Sequence, residues 1–505
     1  MDRNVYFEAA LNYDREFGKH AVTGLLLYNQ NVYAPGAPGG LVESLDYKQQ
    51  GIAARATYSY DDRYFAELNA GYNGSENFDP DNRFGFFPAA GIGWAVSNES
   101  FWKKTFKDVW SFFKVRYTIG LVGSDSATGR RFMYQDEMAS ADGIYFGTAN
   151  SYKEGWAYAK YGSNVGWSTS LKQNLGFDLK FFKDDLSLSV EFFKEHRTGI
   201  FLQRATIPEY CGFIEMPYAN LGVVDNKGID LNMEYNKQLG RKTFLTLRGN
   251  LTWNEDRIIE DDQPTPAYPW LETRGTNVLA RWGWIADGLF TSEDEILDHA
   301  RQFGEEYPGQ ISQIGDIKYR DLNGDGVIDN YDKCVIGQGD VPKLYYGFGG
   351  DLQVGHFSVG LLFSGNAFAD RLLRGNGINA FSDQAAISNL LANITDRWSA
   401  EDPTNTDVFY PRLRFGKTDN LNNSKESTWW QKDVSFLRLK QFTLSYNMPS
   451  RWVEKTFLDE ASIYVTGTNL LTFSNFKLWD PELNTDNGSA YPNAMTISVG
   501  VNVKF

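Results

Sequence analysis

The stretch Thr496-Ile497-Ser498-Val499-Gly500-Val501-Asn502-Val503-Lys504-Phe505 alternates apolar and polar residues without a break. Successive side chains of an extended strand point to opposite faces. Ile497, Val499, Val501, Val503 and Phe505 therefore share one face, and Thr496, Ser498, Gly500, Asn502 and Lys504 share the other. The same period of two recurs at residues 5–13, 52–58, 113–121, 175–181, 186–192, 229–235 and 245–253, and again at 346–352, 357–363, 436–446 and 463–468. Helical patterning is confined to short stretches at 293–301 and 382–399. The chain reads as all-β.

The links between strands carry the next inference. About fifteen strands follow from the periodicity, and their connections alternate in length. Residues 61–63, 183–185, 237–241 and 354–355 form short links, while 29–50, 124–166, 198–227, 254–343 and 365–429 form long ones. Residues 97–111 and 449–460 are intermediate. A soluble sandwich has no reason to keep its long loops at every second turn. A transmembrane antiparallel up-and-down β-barrel does, with short turns on the periplasmic side and long loops outside the cell. Closure also pairs every backbone donor and acceptor, which an open sheet in lipid cannot do.

Composition agrees. The chain has 505 residues, is 15% aromatic and contains 48 glycines, yet its mean hydropathy is −0.43. One apolar face for lipid and one polar face for a lumen account for both facts. Tyr58, Tyr60, Tyr64 and Tyr72 fall near strand ends, where an interfacial girdle belongs. No apolar run approaches the 18 or so residues of a membrane helix. With 49 Lys and Arg against 64 Asp and Glu the net charge is −15, which argues against nucleic acid as a partner. Cys211 and Cys334 are the only cysteines, too few for a disulfide scaffold; whether they pair is left open.

The first residues, Met1-Asp2-Arg3-Asn4-Val5-Tyr6, have no basic region followed by an apolar core, so they are not a secretory signal. The first strand leads into a short turn and so runs toward the periplasm, which would start the chain on the cell surface. Residues 1–505 are therefore expected to be the C-terminal part of a longer barrel protein, whose signal peptide, plug domain and first strands lie upstream.

The sharpest local motif runs from Asp321 to Asp332. Oxygen-bearing side chains stand at Asp321, Asn323, Asp325, Asp329 and Asp332, with glycine at position 6 and the Val327 carbonyl at position 7. This spacing suits calcium, a hard cation that takes six to eight oxygens. The alternative is an Asx- and Gly-rich turn held by its own side chains. Phe505, ending an alternating strand, reads as a barrel-assembly signal. Tyr268, Trp270, Trp282 and Trp284 in the longest link either stack on sugar rings or pack the loop against itself. His20, His196, His299 and His356 are scattered, and no GxSxG, GxGxxG or P-loop pattern occurs, so no catalytic residues are assigned.

Several segments together resemble the SusC/RagA-type TonB-dependent outer-membrane transporters. They are Gly315-Asp316-Ile317-Lys318-Tyr319-Arg320-Asp321 running into Asn323-Gly324-Asp325-Gly326-Val327-Ile328-Asp329, Ala286-Asp287-Gly288-Leu289-Phe290 and Asn226-Lys227-Gly228-Ile229. Phe436-Leu437-Arg438-Leu439-Lys440, Gly467-Thr468-Asn469-Leu470-Leu471-Thr472 and Arg83-Phe84-Gly85-Phe86-Phe87-Pro88-Ala89 complete the set. The resemblance implies a barrel of roughly 22 strands around a plug, in the outer membrane of a Bacteroidota-like cell. It implies uptake of oligosaccharides or glycans, or of peptides. The implied partners are a SusD-like surface lipoprotein, the TonB complex acting through the plug region, the barrel-assembly machinery and outer-membrane lipid. A passive porin or adhesin, or a barrel enzyme, is the competing class.

Overall fold

The computed structural model of the chain describes residues 2–102, 109–125, 131–303, 311–381, 390–414, 422–453 and 456–505. Fifteen strands form one antiparallel sheet whose order is the chain order. They are Arg3–Phe17, His20–Ala34, Tyr47–Tyr60, Tyr64–Ser75, Phe84–Ala95, Trp110–Ser124, Ser168–Phe181 and Leu186–Gln203, followed by Tyr218–Gly240, Thr243–Glu260, Leu344–Val354, Phe357–Ala367, Phe436–Asn447, Glu460–Ser474 and Thr496–Lys504. The count read from periodicity is met. So is the alternation of links, with two residues between Phe17 and His20 and two between Val354 and Phe357, against links such as 125–167 and 261–343.

The strands outrun the alternating segments. Tyr218–Gly240 has 23 residues, whereas alternation is clear only over 229–235. A tilted membrane strand needs about 9–11 residues, so the excess extends past the apolar band, where no alternation is imposed. Two further differences concern the links. Residues 124–166 contain a hairpin of their own, Glu137–Phe146 paired with Ser151–Lys160. The helix expected at 293–301 is Glu293–Asp298, where the Ser292 hydroxyl accepts from the Glu295 amide at 3.2 Å and three acids occupy the first turn. Of the helix expected at 382–399, residues 382–389 lie outside the described residues, and Ala392–Thr395 is a single 3-10 turn.

By contacts the chain divides into two compact units. One comprises Met1–Met233, Asn254–Pro264 and Thr273–Gly275; the other comprises Glu234–Trp253, Thr265–Glu272 and Thr276–Phe505.

In the first unit the sheet separates its faces as the sequence requires. Leu68, Phe86 and Ile92 are 58–65% exposed on one face, a surface suited to hydrocarbon rather than water. On the other face Arg55 meets Glu67 at 3.0 Å. Arg116 bridges Asp178 at 3.1 Å and also pairs with Glu191. Gly176, in register with Arg116 and Glu191, makes that bridge possible: a Cβ there would fall 2.7 Å from the guanidinium carbon. Pro88, which has no N–H to donate, pairs with Ala70 on one side and directly precedes the residue where pairing with Trp110–Ser124 begins. Phe78, Met133 and Val165 from the links make a small core with Phe201 of the strand Leu186–Gln203.

In the second unit the two faces are as distinct. Phe348, Phe357 and Leu361 are 40–56% exposed on the apolar face, while Arg248 pairs with Asp351 and Ser358 with Ser445 on the other. The sheet departs from regularity at one place. Lys440 is skipped in the register on both of its sides, and Asn469 opposite it sits at φ 54°. This is a β-bulge with its extra residue in the left-handed region, which Asn tolerates better than most residues. Asn469 is secured by donating to the Ala494 carbonyl at 3.0 Å.

The face assignment makes a direct prediction. Leu361→Arg, on the apolar face, should cost about 2–4 kcal/mol of stability in lipid if it lies near the bilayer midplane. Gln441→Arg, on the polar face in register with Leu362, should cost far less. Urea titration of folded protein in vesicles measures both, and equal losses would refute the assignment.

Candidate functional site: a folded loop layer and its pocket

The long links of the second unit are not loose. Two of the segments that carry the family resemblance pair with each other: Ile317–Tyr319 forms a two-stranded sheet with Ala286–Leu289. Cys334–Gly337 pairs with Arg281–Gly283, and Val327–Ile328 pairs with Arg301–Gln302. Leu289, Ile317, Tyr319, Ile328, Leu372, Ile378, Trp398, Tyr410, Trp430 and Phe476 bury against each other as a core of their own.

At its centre Asp316 is fully buried. Its carboxylate accepts from the Asn423 side chain at 2.9 Å, the Gln313 amide at 2.8 Å and the Arg414 guanidinium. Asn423 in turn accepts from the Ile317 amide at 2.9 Å. Gln302 donates to the Ile317 carbonyl at 3.0 Å and to Asn422 at 2.7 Å, and accepts from the Tyr319 amide at 2.7 Å. The Tyr319 hydroxyl donates to the Asn422 carbonyl at 2.7 Å, and burial pushes its pKa above the ordinary tyrosine value. Gly315 has φ +87°, and a Cβ there would sit 2.3 Å from the Trp398 ring, so the motif needs glycine for packing and for backbone conformation alike.

The expected calcium loop lies on the edge of this layer. The carboxylate of Asp321 accepts from the Gly324 and Gly326 amides at 2.7 and 2.9 Å, and Asp325 accepts from the Val327 amide at 2.9 Å and from the Asn323 side chain at 2.8 Å. Asp329 accepts from the Tyr331 amide, and buried Asp332 accepts from Leu322 and Asp329 at 2.7 and 2.8 Å. Among the described residues no three His, Cys, Asp or Glu side chains converge as metal ligands. The geometry is that of a turn capped by its own side chains.

The four aromatic residues singled out in the longest link are used in packing. Tyr268 and Trp270 stack with centroids 4.8 Å apart, and the Trp270 indole donates to the Tyr331 carbonyl at 2.7 Å. Trp284 is buried, and its indole donates to the Asp329 carbonyl at 2.7 Å; Trp282 is half-buried in the pairing with Cys334–Gly337. The histidines stay apart: His20 is on Tyr58, His196 on Asp225 and His299 on the Ala300 carbonyl, while His356 lies beside Tyr446. Cys211 and Cys334 are both free thiols. Phe505 is 74% exposed and lies parallel to Phe457 at 5.8 Å.

A pocket of about 460 Å³ opens between the sheet and the loop layer of this unit. Asn250, Tyr345, Ser364 and Asn366 line it from the sheet, and Asp340, Arg371, Glu482 and Asn484 from the links. Arg371, almost wholly buried, donates to Asp340 at 2.7 Å and to Asn484, and Arg281 also pairs with Asp340. Arg438 ties the sheet to the last link by donating to Glu482 at 2.7 Å and to Asp480, and it also donates to Thr472 of the neighbouring strand at 3.0 Å. Arg438 belongs to the family-like segment Phe436-Leu437-Arg438-Leu439-Lys440, and its polarity inside an alternating strand is the signal the sequence offers. Arg371 offered none.

A sheet with one lipid-suited face and one polar face, topped by a folded loop layer, is the wall of an outer-membrane β-barrel. Comparison with known proteins places it more closely. The chain is 25% identical to TonB-dependent receptor P3 of Formosa agariphila across 99% of this chain and 52% of that protein. It is 24% identical to the TonB-dependent receptor SusC of Bacteroides thetaiotaomicron across 89% of this chain and 43% of that protein. It superimposes on the RagAB peptide importer in its open-open state with a TM-score of 0.75 at 18% identity, covering 100% of this chain and 55% of that one. No family model matches the chain. It thus resembles the SusC-type TonB-dependent receptors in sequence and an outer-membrane transporter barrel in fold, and it spans about half the length of the curated relatives it matches. These proteins reside in the outer membrane and are not named as enzymes.

The buried network yields a prediction. Asp316→Ala leaves Arg414 buried without its carboxylate, a change that typically costs about 3–5 kcal/mol. Limited proteolysis should cut within residues 276–435 much faster in the variant, while the sheet keeps its heat-modifiable migration on gels. Unchanged cleavage would mean the network is not what holds the layer.

Proposed function

We propose that this chain supplies barrel wall and outer loop layer to a TonB-dependent importer of an oligomeric nutrient in the outer membrane. The observation that carries this reading is the likeness to SusC-type receptors along nearly the whole chain. The substrate class we propose is an oligosaccharide. The pocket supports it, because Asn250, Asn366, Asn484 and Ser364 offer both donors and acceptors to hydroxyls beside the aromatic ring of Tyr345. Peptide is the second reading, favoured by the fold shared with a peptide importer. A SusD-like surface lipoprotein would meet the loop layer, and TonB would provide the energy.

Deletion of the gene should abolish growth on one polymer while growth on its monomer persists. Unchanged growth on every glycan and peptide polymer tested would overturn the proposal.

We also propose calcium as an occupant of residues 321–332, on donor chemistry alone: Asp321, Asn323, Asp325, Asp329, Asp332 and the Val327 carbonyl are the hard oxygens such an ion takes. Chelation should then speed protease cleavage near residue 325. Identical cleavage with and without chelator would leave the self-capped turn as the whole account.

A further inference from the structure

Trp284 is fixed by main-chain contacts on several sides. Its amide donates to the Glu426 carbonyl at 3.0 Å, its carbonyl accepts from the Thr428 amide at 3.1 Å, and its indole donates to the Asp329 carbonyl. Two ammonium groups from distant parts of the chain lie over this one ring. The Lys333 nitrogen is 4.4 Å from its centroid and the Lys425 nitrogen 5.5 Å, with Lys425 also 4.5 Å from the centre of Phe303. Phe303 meets Trp284 edge-on at 5.0 Å.

Neither lysine has an ion pair or a hydrogen bond to a carboxylate among the described residues. The acids next to them in sequence are engaged elsewhere: Asp332 by the Leu322 and Asp329 amides, and Glu426 by Arg374 at 2.7 Å. Both lysines are half-buried. Burial pushes the Lys425 pKa down, and repulsion from Lys333 pushes it further. In a chain with 64 acidic residues against 49 basic ones, these two like charges on one aromatic surface meet no counter-charge among the described residues. Cation–π attraction offsets part of the cost of burying each ammonium, but it does nothing to the repulsion between the two.

We propose that Lys333 and Lys425 form a binding site for an oxyanion, a carboxylate or sulfate group, above Trp284. An anion with several oxygens suits the arrangement, because each ammonium presents up to three donors and no acceptor. A monatomic ion cannot answer both at once with separate acceptor atoms. The group comes either from a free inorganic anion or from an acidic sugar, and the same chemistry serves both. This site stands apart from the pocket beside Arg371, and it does not depend on the import reading.

The test is amine labelling of the full-length receptor extracted in detergent, with modified peptides quantified by mass spectrometry. Parallel samples contain sodium chloride, sodium sulfate, sodium glucuronate, or glucose in sodium chloride, all at matched ionic strength. An oxyanion at ten times its dissociation constant should lower labelling of Lys333 and Lys425 about tenfold, with exposed Lys19 and Lys504 unchanged. Protection by sulfate identifies a free oxyanion as sufficient, and protection by glucuronate alone identifies a sugar-borne carboxylate; both support the site. Lys333→Gln should abolish protection at Lys425. Equal labelling in all four samples, protection by glucose, or full protection of Lys425 in Lys333→Gln would each overturn the proposal. The wild-type comparison needs no variant to fold.

Discussion

In hydrocarbon, a backbone N–H or C=O without a partner costs several kcal/mol, and this constraint governs the wall of the molecule. Each strand in the list from Arg3–Phe17 to Thr496–Lys504 is hydrogen-bonded to its neighbours in chain order. Once the ladder is fixed, the pleat decides the rest: every second side chain faces lipid and must be apolar, and the others face inward and can be charged. Arg55 with Glu67, and Arg116 with Asp178 and Glu191, occupy the inward positions of one unit. Arg248 with Asp351 does so in the other. An alternating sequence with negative mean hydropathy is therefore what a membrane wall of this type looks like.

The loop layer of the second unit obeys the opposite economy. It is surrounded by water, so its stability comes from removing apolar surface, and Tyr319, Tyr410, Trp398 and Trp430 supply much of that area. Irregular backbone placed in such a core brings unpaired amides and carbonyls with it. Asn422, Asn423 and Gln302 act as substitutes for missing strand neighbours by giving side-chain amides to the Ile317 carbonyl and accepting from the Ile317 and Tyr319 amides. Asp316 and Arg414 anchor the same network. Removing one member strands the others in a place where water cannot repair the loss.

These two economies explain what was legible in the sequence. The wall was readable because its rule is local: alternation within ten residues gave the all-β class, the strand number and the order of short and long links. The loop layer was not, because its contacts join residues far apart, such as Asp316 with Arg414 and Gln302 with Asn422 across 98 and 120 positions. No periodicity reports such pairs. The hairpin at Glu137–Phe146 and Ser151–Lys160 was missed for a different reason. Met138, Tyr145, Tyr152, Trp156 and Tyr158 are exposed there, and without a buried face there is little apolar–polar contrast to detect. The 321–332 loop shows the limit of spacing as evidence: the oxygens stand where a cation loop would have them, yet backbone amides take the same carboxylates.

The segments that carried the family resemblance can be placed by the same physics. A regular stretch of wall asks only for an apolar residue outside and something polar inside, so many sequences satisfy it. Departures from regularity ask for particular residues. Gly467-Thr468-Asn469-Leu470 faces the skipped Lys440, where the bulge needs a residue that accepts positive φ. Arg438, two residues before, has to reach Asp480 and Glu482 from an inward position. Gly315-Asp316-Ile317-Lys318-Tyr319 sits where a glycine must clear Trp398 and a carboxylate must be answered inside a core. Identity is thus readable at these points for the reason that fold is readable elsewhere: the fold rests on a rule that many residues obey, and the resemblance rests on the places where that rule is broken and few residues will serve.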